Sequence, residues 1–157
     1  MKKKCFLSGF LAVLSLCSGA AEVVKDSFSV VLDRNFKPED AAAVSKTGNL
    51  PGKKVKFTMT ERMTVDLRTL FKNTVPIKDR AIILFKINSE KDQERYLWLW
   101  ADYWYTCYVN GKFVASTEPA GEFAFLHDYY RTPRKISLKK GENLIALELP
   151  RAVMNGR

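Results

Sequence analysis

The segment from Arg95 to Ser116, RYLWLWADYWYTCYVNGKFVAS, constrains the fold of this chain more than any other. It carries Trp98, Trp100 and Trp104 together with Tyr96, Tyr103, Tyr105, Tyr108 and Phe113. Asn110-Gly111 stands between two apolar runs. Asn-Gly readily adopts the positive φ angles that a two-residue type I′ hairpin demands. The segment therefore predicts antiparallel β-structure loaded with rings, which either fill a core or form a platform for a ligand. A two-residue loop pairs Val109 with Lys112, Tyr108 with Phe113, and Cys107 with Val114. Cys107 and Val114 are expected to face the core, and Tyr108 and Phe113 the opposite side.

Similar patterns run through the rest of the chain. Phe28 to Leu32 reads as a short strand, and Val55 to Thr60 alternates. Met63 to Leu67 continues the sheet after a break. Ala81 to Ile87 is rich in β-branched residues and is expected to be buried on both faces at its start. Arg95 to Ala101 alternates, with Tyr96, Trp98 and Trp100 on one face and Leu97 and Leu99 on the other. Trp98 and Trp100 are assigned to the core. Lys135 to Leu138 and Asn143 to Leu149 complete the set, joined by a turn at Lys140-Gly141-Glu142. Residues 33–53 read as loop, with at most one helical turn at Ala41 to Val44 after Pro38. The sum is an all-β chain, an antiparallel β-sandwich of about eight or nine strands with little helix.

The N-terminus carries a different signal. Lys2, Lys3 and Lys4 precede an apolar stretch from Phe6 to Leu16 that is short for a membrane span. Ser18 to Ala21 is a run of small residues suited to signal peptidase. Residues 1–21 read as a secretory signal cut after Ala20 or Ala21, which places the product in the periplasm or outside the cell. Cys17 follows the apolar stretch, but Leu16 stands where a lipoprotein signal needs a small residue. Residues 22–157, about 136 in number, are enough for one domain with a real core. The formal charge of +9 falls to about +6 once the leader lysines are gone. The remaining Lys and Arg are scattered among acids, so nucleic acid is not an expected partner. Cys107 is then the one cysteine left, so no disulfide within the chain can form. It is expected to pack as a small hydrophobe.

The run LWLWADYWYTCYVNGKFV, followed by ISLKKGENLIALEL, resembles the galactose-binding-domain-like jelly roll. That family includes the sugar-binding domains of family 2 glycoside hydrolases and many carbohydrate-binding modules. The matching positions are Asp102, Val109 to Lys112, and Leu138 to Ile145, within a similarity spanning roughly residues 55–150. The resemblance implies a jelly-roll sandwich and a module that binds a glycan without catalysis. Its alternative is a structural or protein-interaction sandwich without a small ligand, or a fragment of a larger glycan-processing protein, with other exported proteins as partners.

Pyranose C–H faces stack on flat rings, while sugar hydroxyls need polar partners. The candidate ligand residues are accordingly Asp102, Tyr103 and Trp104 at a strand junction, with Tyr129, Tyr130 and Arg131 in a long loop. Asp102 can instead cap the junction through backbone N–H groups. Tyr103, Trp104, Tyr129 and Tyr130 can equally pack under loops. Many related modules hold calcium, which needs six or more oxygen ligands. Glu118, Glu122 and Asp128 share a loop but follow no spaced calcium motif, so no metal or other cofactor is expected. His127 is the only histidine and reads as packing. No G-x-S-x-G, H-E-x-x-H, C-x-x-C or phosphate-loop motif is present, so no catalytic residue is expected.

Overall fold

The structure, a computed structural model, describes residues 10–14, 21–59, 64–72, 79–101, 104–117 and 133–150. Eleven strands and two short helices appear among them. The strands are β1 (Phe10–Leu14), β2 (Ala21–Val23), β3 (Phe28–Asp33), β4 (Val55–Phe57), β5 (Thr64–Asp66) and β6 (Arg80–Ser89). After these come β7 (Gln93–Ala101), β8 (Thr106–Val109), β9 (Lys112–Ser116), β10 (Arg134–Leu138) and β11 (Gly141–Leu149). The helices are α1 (Pro38–Thr47) and α2 (Leu67–Leu70).

All strand pairs are antiparallel and form two sheets. The larger has seven strands in the order β4-β3-β6-β11-β8-β9, with β2 beside β3 on the same edge of β6. The smaller has four in the order β10-β7-β1-β5. The sheets close on one apolar core, as a β-sandwich does. Phe28, Val30, Ile83, Phe85, Ile87, Cys107, Ile145 and Leu147 enter it from the larger sheet. Val65, Leu97, Leu99, Ala101, Ile136 and Leu138 enter it from the smaller. Phe28 stacks on Phe85 with ring centroids 4.7 Å apart.

The strand count exceeds the expected eight or nine, chiefly because β1 and β2 lie at the N-terminus. In the unprocessed chain the apolar stretch read as leader supplies β1, a central strand of the smaller sheet.

Two expectations need correction. Residues 38–47 form a helix of three turns rather than loop or a single turn. Pro38 occupies the first helical position, and the Asp40 carboxylate accepts from the Lys37 N–H at 2.7 Å. Gly48, at φ 73°, closes the far end by donating to the Val44 carbonyl. Only Ala41, Val44 and Ser45 are buried, so the apolar stripe is narrow, and the end signals carry most of the information. The helix covers the outer face of the larger sheet. There Val44, Ala41 and Phe36 meet Val31, Ile82, Leu84 and Ala146 in a second core. This explains why Ala81 to Phe85 are buried on both faces, as the β-branched run predicts.

The second correction concerns β7. Leu97, Leu99 and Ala101 are its core face. Trp98 is half-buried and Tyr96 is exposed on the opposite side, while the Trp100 side chain lies outside the described residues. Leucines fit the interior between two close-packed sheets. A row of large rings fits a surface bounded by only one sheet.

The hairpin forms as expected, with φ of 50° at Asn110 and 81° at Gly111. Val109 pairs with Lys112 and Tyr108 with Phe113, but Cys107 faces Ala115, not Val114, because β9 carries a bulge. Cys107 stays fully buried, and Val114 packs against the core only partly. A Cβ on Gly111 would meet the Lys46 Cβ at 3.1 Å, so the hairpin tip needs glycine for close approach as well as for φ.

Asn110 and Asn143 tie the hairpin to β11. The Asn143 Oδ1 accepts from the Lys139 N–H and from the Asn110 Nδ2, each at 2.8 Å. Its Nδ2 donates to the carbonyls of Lys139 at 2.8 Å and Gly141 at 3.1 Å. The Asn110 Oδ1 accepts from the Leu144 N–H at 2.9 Å. A backbone N–H can only donate, so these contacts fix which way both amides point.

Two outcomes follow from this packing. Asn143→Ala removes four hydrogen bonds made by a fully buried side chain and is expected to cost about 2–4 kcal/mol. At this chain length that lowers Tm by roughly 5–15 °C in a calorimetric scan. Burial pushes the Cys107 thiol up to about 12. In a background with Cys5 and Cys17 replaced by alanine, Cys107 should resist a thiol reagent in native buffer and react at the rate at which the domain opens.

Candidate aromatic face of the smaller sheet

Side chains alternate along β7, so turning Leu97 and Leu99 inward presents Tyr96 and Trp98 outward on the smaller sheet. Tyr96 is 54% exposed. Residues two apart on a strand stand about 6.6 Å apart on the same face. Beside them on β10, Lys135 is the cross-strand partner of Tyr96. Its ammonium pairs with the Glu94 carboxylate at 2.7 Å. That contact, together with the Glu94 charge, raises the Lys135 pKa above its ordinary value. Ser137, opposite Glu94, continues the polar border. The result is a strip with rings along one strand and hydrogen-bonding groups along the next.

One end of this strip is clasped by Asp92. Its carboxylate accepts from the Lys139 Nζ and the Lys140 N–H, both at 2.8 Å. Those two bonds, the Lys139 one first, hold the Asp92 carboxyl below its ordinary 3.8. The same contact raises Lys139.

Of the residues singled out from sequence, Trp104 is described and is half-buried just before β8. Asp102, Tyr103, Tyr129, Tyr130 and Arg131 lie outside the described residues, as do Glu118, Glu122, His127 and Asp128. The two points from which the 118–132 segment departs are described. The Thr117 Oγ1 accepts from the Tyr105 N–H at 2.9 Å, and the Thr117 N–H donates to the Tyr105 carbonyl at 2.9 Å. Tyr105 is buried, and burial raises its pKa more than Arg134 lowers it. Thr117 thus pairs with the residue that follows Trp104.

Sequence reasoning missed Tyr96 as a surface ring because it gave the aromatic face of β7 to the core. Glu94, two residues before Tyr96 and so on its face, was the available signal that this side of the strand meets solvent.

Elsewhere, Phe113 is 61% exposed, with its ring 5.9 Å from Tyr108 in an edge-on pair. A polar concavity of about 440 Å³ lies beside the end of α1, where Lys54, Lys56 and Lys86 face Asp26 and Glu142. Lys86 is held there by Glu142 at 2.7 Å. Among the described residues no three His, Cys, Asp or Glu side chains gather as metal ligands would. No described helix is long and apolar enough to cross a membrane.

The chain matches no protein-family model, no curated protein and no solved structure.

The Asp92 clasp makes a pH prediction. Because the folded-state pKa is depressed, the clasp contributes fully above 3.8 and is lost as pH falls through the lower folded value. Relative to intrinsic rates, exchange at the Lys140 amide should quicken only as pH falls through the depressed Asp92 value, which lies below 3.8. Asp92→Asn should largely remove that dependence.

Proposed function

We propose that the chain is an exported, non-catalytic carbohydrate-binding module of the galactose-binding-like kind. The observation that carries this reading is the outward row of Tyr96 and Trp98 on β7, bordered by Lys135, Glu94 and Ser137 on the same face. Flat rings offer stacking surfaces to the C–H faces of pyranoses, and the flanking charges offer partners to hydroxyls. Trp104, half-buried just before β8, is a further candidate ring, and Asp102, Tyr103, Tyr129, Tyr130 and Arg131 are proposed as ligand residues from the sequence alone. The ligand is a glycan and the site uses no cofactor. The leader-like N-terminus supports a secreted or periplasmic setting, where glycans are the accessible polymers.

A glycan panel tests the reading. At least one glycan should be retained, and Tyr96→Ala should weaken it roughly 2- to 10-fold, the worth of one stacked ring. Tyr96 is exposed, so the variant should keep the wild-type Tm. Retention of no glycan, or unchanged affinity in Tyr96→Ala and Trp104→Ala alike, would sink it.

A further inference from the structure

The smaller sheet depends on a strand that the proposed export step removes. β1 pairs along both edges, with Leu11–Leu14 against Trp98–Ala101 of β7 and Phe10–Ala12 against Thr64–Asp66 of β5. Both pairings are antiparallel. Among the described residues β5 pairs with no other strand, and β10 reaches only Gln93–Leu97 of β7. Cleavage after Ala20 or Ala21 would detach β1. The backbone groups of β5 and of Trp98–Ala101 that face it would then be left without partners.

The vacated space has defined dimensions and chemistry. Neighbouring strands lie about 4.8 Å apart, so the banks formed by β7 and β5 stand roughly 10 Å from each other. A gap bounded on both sides admits one extended strand and excludes the edge of a second folded sheet. Val65, Leu99 and Ala101, the residues in register with Leu11 and Val13, belong to the main core. Losing the strand beside them would unpair hydrogen-bonding edges and open the core next to them, the condition under which a sheet accepts an added strand. The segment seated there, Phe10-Leu11-Ala12-Val13-Leu14, is uncharged and wholly apolar.

We propose that the processed protein is a strand acceptor. The slot between β7 and β5 takes an extended, uncharged, apolar segment of about five residues, donated by another exported polypeptide and antiparallel to both banks. The proposal rests on the export half of the functional reading and not on glycan binding, so a negative glycan panel leaves it standing.

The test uses the full chain, produced without export, with a protease site replacing residues 16–20. After cleavage the leader fragment is exchanged for a labelled peptide of residues 8–15 carrying two added lysines for solubility. The cleaved chain should bind this peptide one to one. Exchange at the amides of residues 64–66 and 98–101 should slow at least tenfold relative to the stripped chain. An Ala12→Pro peptide, which cannot donate at that ladder position, should bind at least tenfold more weakly. If stripping unfolds the chain, adding the peptide should restore its circular dichroism. No binding, equal binding of the proline peptide, or no recovery of fold would overturn the proposal. So would a stripped chain that dimerises and excludes the peptide, or an exported protein whose intact mass still includes residues 10–14.

Discussion

The side-chain amides of Asn110 and Asn143 hold together parts of the chain that backbone pairing alone would leave loosely joined. Asn143 closes the β10–β11 turn upon itself through Lys139 and Gly141, and Asn110 carries the β8–β9 hairpin onto it. The hairpin tip continues the chain of contacts, since the Gly111 N–H donates to the Ser45 Oγ at 2.9 Å. Ser45 in turn donates to the Ala42 carbonyl within α1. Helix, hairpin and closing turn are therefore locked by one run of hydrogen bonds at one end of the larger sheet. Its members are mostly sheltered from water, where unsatisfied polar groups are expensive, so it acts as a unit.

A buried charge pair supports the same sheet nearer the other end of β11. The Glu148 carboxylate, fully buried, accepts from Arg80 at 2.6 and 2.9 Å across the β6–β11 ladder. Such a pair adds little net stability over apolar residues, but each partner makes the other indispensable. The stability of the larger sheet thus comes from apolar burial on two faces, while these polar contacts settle register and orientation.

Much of this was legible in the chain. Period-two alternation located β7, β10 and β11, and Asn110-Gly111 located the hairpin to the residue. The apolar run of β6 announced burial on both faces. The bulge in β9 was not legible, because Val114 and Ala115 are both credible core residues and only the packed structure chooses between them. Helix α1 was obscured by its weak apolar stripe, although Pro38, Asp40 and Gly48 marked its ends. Which face of β7 is the core could not be read from alternation, since leucines and aromatics are both apolar and the difference lies in the space each needs. The surface strip inherits that ambiguity, and Tyr96 emerged as an exposed ring only once Leu97 was seen to point inward.

The division of β7 between two faces has an evolutionary consequence. Its inward positions, Leu97, Leu99 and Ala101, answer to the packing of the opposite sheet, whereas Tyr96 projects from the outer face and is 54% exposed. Changes at Tyr96 alter the chemistry of the surface while leaving the packing between the sheets untouched. A single strand therefore lets interior packing and outer surface drift independently, and a lineage carrying this scaffold could change the character of that surface without first finding compensating changes in its interior.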